Sequence, residues 1–145
     1  MNKYIEIAFE EANKSKDIDE VPVGAVIVYK NKVIAKGHNL SNKDSVSNHA
    51  EIIAINEAIK ELNDWRLNEC EMYVTLEPCP MCAGAILKSR IKKVYIGASS
   101  NIKSNKKIIE FIFNNNEYYH NVDFEYLNDD KCSKILTDFF KEKRL

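Results

Sequence analysis

Two cysteines three positions apart, in the stretch TLEPCPMCAGA at residues 75–85, constrain the fold of this chain more than any other feature. Pro78 ends an apolar run, and Pro80 suits the first position of a helix, where its missing N–H costs little. Such a turn brings the sulfurs of Cys79 and Cys82 to one side of a helix start, where the helix dipole favours thiolates. Taken alone, this spacing serves either a redox pair or half of a metal site.

A zinc site needs further ligands, because Zn²⁺ prefers four tetrahedral nitrogen and sulfur donors. The chain offers five candidates for a third ligand: His38, His49, His120, Cys70 and Cys132. Among them, His49 is followed two residues later by Glu51, and Asn48 is a good helix N-cap, which predicts His49 in the first turn of a buried helix. Three protein ligands, His49, Cys79 and Cys82, leave a fourth position for water, an arrangement typical of catalytic zinc. Glu51 would then lie beside that water as a proton acceptor without being a ligand.

Each part of this pattern has a simpler interpretation. Asn48 and Glu51 also fit a capping box, in which Glu51 only caps its own helix, and a buried histidine is commonly a hydrogen-bonded core residue. The combination is more specific, since H-x-E followed by P-C-x-x-C is the signature of the zinc nucleobase deaminases. It occurs here as His49-Ala50-Glu51 and as the five residues 78–82.

Length and composition are those of one ordinary globular domain over residues 1–145, with 45% hydrophobic and 30% charged residues. No secretory signal and no membrane-length apolar run is visible. Four cysteines without an export signal favour a reducing cytoplasm and no disulfide framework.

The net charge of −1 excludes a chain that is basic throughout, but the charges are unevenly distributed. From Pro78 to Ile109 there is no Asp or Glu. The cations of this stretch are Lys88, Arg90, Lys92, Lys93, Lys103, Lys106 and Lys107. It is either a solvated surface or a surface that contacts phosphates.

Hydrophobic periodicity predicts alternating strands and helices after an opening helix and hairpin. We expect helices near residues 3–13, 48–59, 80–88 and 129–143, and strands near 21–29, 33–36, 72–76, 94–96 and 122–126. The Asn- and Lys-rich segment 101–121 is expected to be folded but less regular. The order of elements predicts an α/β fold whose sheet is covered by helices on both faces.

The chain resembles the bacterial tRNA-specific adenosine deaminases, which belong to the cytidine deaminase-like superfamily. The resemblance extends from about Tyr4 to Arg144 and rests on these segments: VPVGAVIV (21–28), GHN (37–39), HAEI (49–52), WRL (65–67), YVTLEPCPMCAGAI (73–86), SRI (89–91), GA (97–98) and DFF (138–140). It implies a three-layer α/β/α fold with a mixed five-stranded sheet. It also implies hydrolytic deamination of adenosine to inosine at the wobble position of tRNA anticodons, by a cytoplasmic homodimer with one zinc ion per subunit.

The resemblance also implies roles for individual residues. His49, Cys79 and Cys82 would hold the zinc, and Glu51 would move the proton. Asn39 would contact the target base, and Val23, Gly24 and Ala25 would line its pocket. The expected RNA contacts are His120, Phe139, Phe140 and the basic tail Lys141, Lys143 and Arg144.

One loop departs from the family pattern. After Gly97 and Ala98, relatives usually have an Asp, which borders the bound anticodon, and then a glycine-containing loop. This chain has Ser100 at the Asp position and no glycine in residues 99–107. We expect the zinc chemistry to be unaffected and the RNA contacts, including that of Ser100, to differ in detail. Two alternatives stay open: a deaminase of a free nucleobase or nucleoside of the guanine or cytosine type, and a zinc-binding subunit without catalysis.

Overall fold

The computed structural model describes residues 2–100, 104–114 and 120–143. Within these ranges, five helices and five strands follow one another along the chain. The helices are α1 (Lys3–Asp17), α2 (Ala50–Leu62), α3 (Pro80–Lys88), α4 (Lys106–Phe113) and α5 (Asp130–Lys143). The strands are β1 (Gly24–Tyr29), β2 (Lys32–His38), β3 (Cys70–Leu76), β4 (Lys93–Ala98) and β5 (Asp123–Tyr126).

The strands form one mixed sheet in the order β2-β1-β3-β4-β5. β1 pairs antiparallel with both β2 and β3, whereas β3, β4 and β5 are parallel to one another. The hairpin between β1 and β2 turns at Lys30 and Asn31, which both have positive φ, as a tight two-residue turn requires. The predicted five-stranded mixed sheet is confirmed.

Helices cover both faces of the sheet, because successive strand residues point to opposite sides. Ala25 and Ile27 of β1 face a core shared with α2, α3 and α4. Val26 and Val28 face the other side, where they pack with buried residues of α1 and α5. The predicted three-layer α/β/α arrangement is therefore confirmed, with α1 and α5 in one outer layer and α2, α3 and α4 in the other.

The segment 101–121 is more regular than its composition predicted, because α4 occupies residues 106–113. Ile109 and Phe113, one helical turn apart, are fully buried in the core beneath α4. The residue before the helix, Asn105, makes no side-chain capping bond. This helix is thus stabilised by packing rather than by a local start signal, which explains why a sequence pattern missed it.

Several element ends also differ from the predicted ones. α1 is four residues longer than expected, ending at Asp17, and β2 continues to His38. α2 begins at Ala50 rather than Asn48. None of these differences changes the order of elements.

The topology brings one end of each of the five strands to the same end of the sheet, which we call the site edge. β3, β4 and β5 all end there, β1 begins there, and β2 ends there. Two glycines allow helices to approach this edge closely. A Cβ at Gly24 would lie 2.0 Å from the carbonyl oxygen of Ala8 in α1, and one at Gly37 would lie 2.3 Å from that of Ala50 in α2.

None of the helices in the described ranges is both long and apolar enough to cross a membrane.

Candidate active site

Three side chains of metal-ligand types lie together at the site edge, and each belongs to a residue at the start of a helix. His49 is the residue before α2, Cys79 is the residue before α3, and Cys82 lies in the first turn of α3, after Pro80 at its start. The Nδ1 atom of His49 is 3.6 Å from the Sγ of Cys79 and 3.5 Å from the Sγ of Cys82. The three donor atoms all lie within 4.8 Å of one another.

The spacing of these donors fits a tetrahedral zinc ion. Zinc–sulfur bonds of about 2.3 Å and zinc–nitrogen bonds of about 2.0 Å, at the tetrahedral angle, place sulfur and nitrogen about 3.5 Å apart. That separation matches the two measured sulfur–nitrogen distances. Among the residues that the structure describes, no other His, Cys, Asp or Glu cluster of three or more has donors this close together.

The two thiols of the group differ in acidity. A hydrogen bond from the Cys82 thiol, assisted by backbone N–H groups at the start of α3, lowers the pKa of Cys79 to about 5. Donating that hydrogen bond, together with burial, raises the pKa of Cys82 far above its usual range. The metal-free pair therefore holds one proton at neutral pH, and a metal that needs two thiolates must displace it.

Glu51 lies in the first turn of α2, beside this group, and its side chain is buried with 3% exposure. Burial raises the pKa of its carboxyl group to about 7. A group that titrates near neutrality can both accept and release a proton during a reaction. The position of Glu51 and its raised pKa therefore both suit proton transfer.

The prediction that Asn48 is the N-cap of α2 is wrong, as is the alternative interpretation of Asn48 and Glu51 as a capping box, because His49 is the residue before the helix. Asn48 does not cap the helix, since its side-chain amide donates to the carbonyl oxygen of Ser41 at 2.7 Å. The cap comes instead from Asn39, just after β2, whose Oδ1 accepts the N–H of Ala50 at 2.9 Å. Asn39 thereby ties the end of β2 to the helix that carries Glu51.

A pocket of about 280 Å³ opens onto the donor group. Its lining includes His49, Cys79 and Glu51 and three further predicted site residues, namely Val23, Asn39 and Ser100. The remaining lining residues are Val21, Asn42, Leu76, Glu77 and Asn105. The pocket thus joins the two helix starts to the ends of β2, β3 and β4.

Five other predicted site residues lie away from this lining. Gly24 packs against α1, and Ala25 is fully buried in the core. His120 is near the opposite edge of the sheet, where its Nε2 is 3.1 Å from the carbonyl oxygen of Ile91. The last two, Phe139 and Phe140 of α5, lie in the α1 and α5 layer, with Phe139 buried and Phe140 40% exposed. Their roles in substrate binding stay predictions.

The other candidates for a third metal ligand are occupied elsewhere. His38 Nδ1 is 3.2 Å from a carboxylate oxygen of the buried Glu11. Cys70 is buried in the core at the start of β3, and Cys132 is buried on α5. Burial raises the pKa of both thiols, to about 11 and about 12 respectively, so that they stay protonated and apolar.

The acid-free stretch forms two separate regions. Lys88 ends α3 and Lys93 begins β4, which places both at the edge of the sheet opposite the site. Lys93 pairs there with Glu125 at 3.2 Å. Lys106 and Lys107 instead lie in the first turn of α4, next to Asn105 of the pocket. Lys103 and Arg144 lie outside the described residues.

Sequence reasoning missed Glu77, whose side chain is buried with 4% exposure at the pocket. Among the described residues, its carboxylate accepts four hydrogen bonds, from groups 23 to 49 positions further along the chain. The only signal in the sequence is an acidic residue between an apolar strand and a proline, and that pattern does not identify its partners.

A His-Cys-Cys donor group beside a buried glutamate, on two helix starts at one edge of a three-layer sheet, defines the class of metal-dependent nucleobase deaminases.

Known proteins agree with this class. The MafB19-like deaminase family matches residues 1–144. A tRNA-specific adenosine deaminase of Bacillus subtilis is 38% identical over 97% of this chain and 89% of its own length. A solved tRNA:A34 deaminase structure superposes with a TM-score of 0.84 at 36% identity, over 92% of this chain and 99% of that one. A guanine deaminase from Bacillus subtilis gives a TM-score of 0.65 at 28% identity, over 100% and 96% of the two chains. The chain therefore belongs to the tRNA-specific adenosine deaminase family.

Proposed function

We propose that this protein converts adenosine to inosine at position 34, the wobble position of tRNA anticodons, by zinc-dependent hydrolysis. The observation that carries this proposal is the donor group with sulfur–nitrogen distances of 3.5 and 3.6 Å beside the buried Glu51. The choice of tRNA adenosine is supported by the relative from Bacillus subtilis and by the similar A34 deaminase structure. Residues 1–145 would act as one deaminase domain.

His49, Cys79 and Cys82 would hold the zinc ion. A zinc ion bound there supplies an activated water molecule at neutral pH. Glu51 would accept one proton from the attacking water and transfer it to N1 of the adenine ring. It would then take the remaining proton from the hydroxyl group now on C6 and give it to the departing amine. Water is consumed and ammonia is released, so that the C6 amino group is replaced by a carbonyl oxygen. The pKa of about 7 of Glu51 suits both directions of transfer.

The pocket provides groups that can orient the base. Asn39 uses its Oδ1 atom to cap α2, which leaves the amide Nδ2 as the group that can donate to the nucleotide. Val23, just before β1, supplies an apolar side of the pocket, and Ser100 lies just after the end of β4. An adenine in an anticodon loop reaches such a pocket at lower cost than one in a duplex, because it is already largely unpaired.

The wider setting is also part of the proposal. We expect a cytoplasmic homodimer in which the anticodon stem-loop contacts both subunits and no membrane is involved. Lys106 and Lys107, exposed at the start of α4, directly follow Asn105 of the pocket lining and would meet phosphates there.

A second candidate function is deamination of a free base such as guanine, supported by the likeness to the guanine deaminase structure. Inosine mapping in tRNA incubated with the protein separates the two. We expect inosine at position 34 and no ammonia from free guanine or cytosine. Ammonia from a free base, without inosine in any tRNA, would contradict the tRNA proposal.

A zinc-binding subunit without catalysis is tested by Glu51→Ala. We expect this variant to retain zinc and to lose inosine formation, because only the proton-transfer group is removed. Full activity in Glu51→Ala would exclude the proposed mechanism.

A further inference from the structure

Glu77 is a buried carboxylate for which the proposed chemistry has no use. Both of its oxygens are occupied. Oε1 accepts the backbone N–H groups of Ser100 and Asn105, each at 2.9 Å. Oε2 accepts the hydroxyl of Ser104 at 3.1 Å and that of Tyr126 at 2.8 Å. Each oxygen accepts two hydrogen bonds, so the carboxylate joins all four groups at once.

These four donors come from segments that lie apart in the chain, although β4 already pairs with both β3 and β5 in the sheet. Ser100 follows β4, Ser104 and Asn105 precede α4, and Tyr126 ends β5. Asn105 is further tied to the strand side by its Nδ2, which donates to the carbonyl oxygen of Pro78 at 3.4 Å. Glu77 therefore fastens the end of β5 and the start of α4 to the end of β3.

The fastened residues form one wall of the pocket. Ser100 and Asn105 line it together with His49 and Glu51. Glu77 reaches both of them through their backbone N–H groups, so that the connection does not depend on which side chain stands at position 100. The replacement of the family's usual Asp by Ser100 leaves it intact.

We propose that Glu77 is a positioning residue, whose carboxylate fixes the Ser100 and Asn105 wall so that the substrate base is held against the catalytic group. This inference rests on the proposed function for its kinetic consequence, and on geometry alone for its structural one. Without the carboxylate, the backbone N–H groups of Ser100 and Asn105 lose this shared acceptor, and the wall is held less firmly.

Replacement by glutamine should preserve the wall. The N–H groups of Ser100 and Asn105 can only donate, so the glutamine oxygen must face them. The hydroxyls of Ser104 and Tyr126 can also accept, so the glutamine NH₂ can donate to both. Glu77→Gln is thus a conservative rescue of Glu77→Ala. Glu57→Ala is the matched control, since Glu57 is an exposed carboxylate on α2.

The structural test is amide hydrogen exchange on the zinc-loaded protein. We expect the amides of Ser100 and Asn105 to be protected in the wild type and in Glu77→Gln, and to exchange about tenfold faster or more in Glu77→Ala. Equal exchange in the wild type and Glu77→Ala would overturn the inference, whether or not the protein acts on tRNA.

The kinetic test uses an anticodon stem-loop with adenosine at the wobble position. We expect Glu77→Ala to raise KM about tenfold with little change in kcat and in zinc content, and Glu77→Gln to restore most of the loss. A merely structural role would lower the folded fraction, and hence kcat, with KM unchanged, and that result would overturn the inference. Loss of zinc in a folded Glu77→Ala would overturn it as well.

Tyr126→Phe keeps the inference testable if Glu77→Ala does not fold. It removes one of the four donors and keeps the ring, so we expect a smaller rise in KM, about threefold. An unchanged KM in Tyr126→Phe together with unchanged exchange at Ser100 would contradict the inference. A wild type that protects these amides but makes no inosine would instead refute only the proposed function.

Discussion

Glu51 and Glu77 are two carboxylates of the same pocket with nearly equal exposure, 3% and 4%, and very different surroundings. Glu51 has its own backbone N–H and the Cys82 thiol as hydrogen-bonding neighbours, and burial raises its pKa to about 7. Among the described residues, Glu77 accepts hydrogen bonds from four groups in three chain segments. Burial alone therefore does not decide what a carboxylate does. Glu51 lies beside the metal-binding group and suits proton transfer, whereas Glu77 connects the segments that line the pocket.

Removal of the metal should have the largest effect on activity and should leave the hydrogen bonds around Glu77 unchanged. Chelation of the bound metal is expected to reduce inosine formation to the background rate, because the activated water depends on the metal. The amides of Ser100 and Asn105 should stay protected, since their acceptor is Glu77 and not a metal ligand. Zinc analysis, activity and amide exchange on the same sample measure this. Simultaneous loss of protection would show that the two regions are not independent.

The different acidities of the Cys79 and Cys82 thiols predict that the affinity for zinc depends on pH. Cys79 has a pKa of about 5 and is a thiolate at neutral pH, whereas the pKa of Cys82 is raised and its thiol is protonated. Zinc must displace that one proton, so its affinity should increase about tenfold per pH unit above about pH 7.5, where Glu51 is ionised. Competition with a chelator at a series of pH values measures the slope. An affinity independent of pH would contradict this assignment of protons.

The smallest expected effect concerns the helix that carries Glu51. Asn39→Ala removes the acceptor for the N–H of Ala50 and should lower the free energy of unfolding by about 1 kcal/mol. Asn39→Asp keeps an acceptor and should recover most of that stability. Urea unfolding of the three proteins provides the measurement. Equal losses in both variants would show that the cap contributes little and that Asn39 matters through other contacts.

The sequence predicted the metal group well because one known motif contains all three ligands. Cys79 and Cys82 follow from a single helix start with Pro80 at its first position. His49 is 30 positions from Cys79 and was found through the H-x-E part of the same motif. The alternation of strands and helices predicted a sheet covered by helices on both faces.

The features that were missed or wrong depend on contacts between distant residues. A capping box at Asn48 was a reasonable local expectation, but Asn39 supplies the cap from 11 positions before Ala50. The helix α4 lacks a side-chain cap and is held by the burial of Ile109 and Phe113. Glu77 meets partners up to 49 positions away. No short pattern contains such information, because the fold creates these contacts.

The same substitution at the two carboxylates tests the account most directly. Glutamine at position 51 cannot carry a proton from water to the base, whereas glutamine at position 77 can satisfy the same partners. In single-turnover deamination of a wobble adenosine, with zinc content matched, we expect Glu51→Gln to be slower than the wild type by about 10²- to 10⁴-fold. The rate of Glu77→Gln should stay within about threefold of that of the wild type. The exposed control Glu57→Gln should have the wild-type rate. Equal rates for Glu51→Gln and the wild type, or equal losses in Glu51→Gln and Glu77→Gln, would contradict the account.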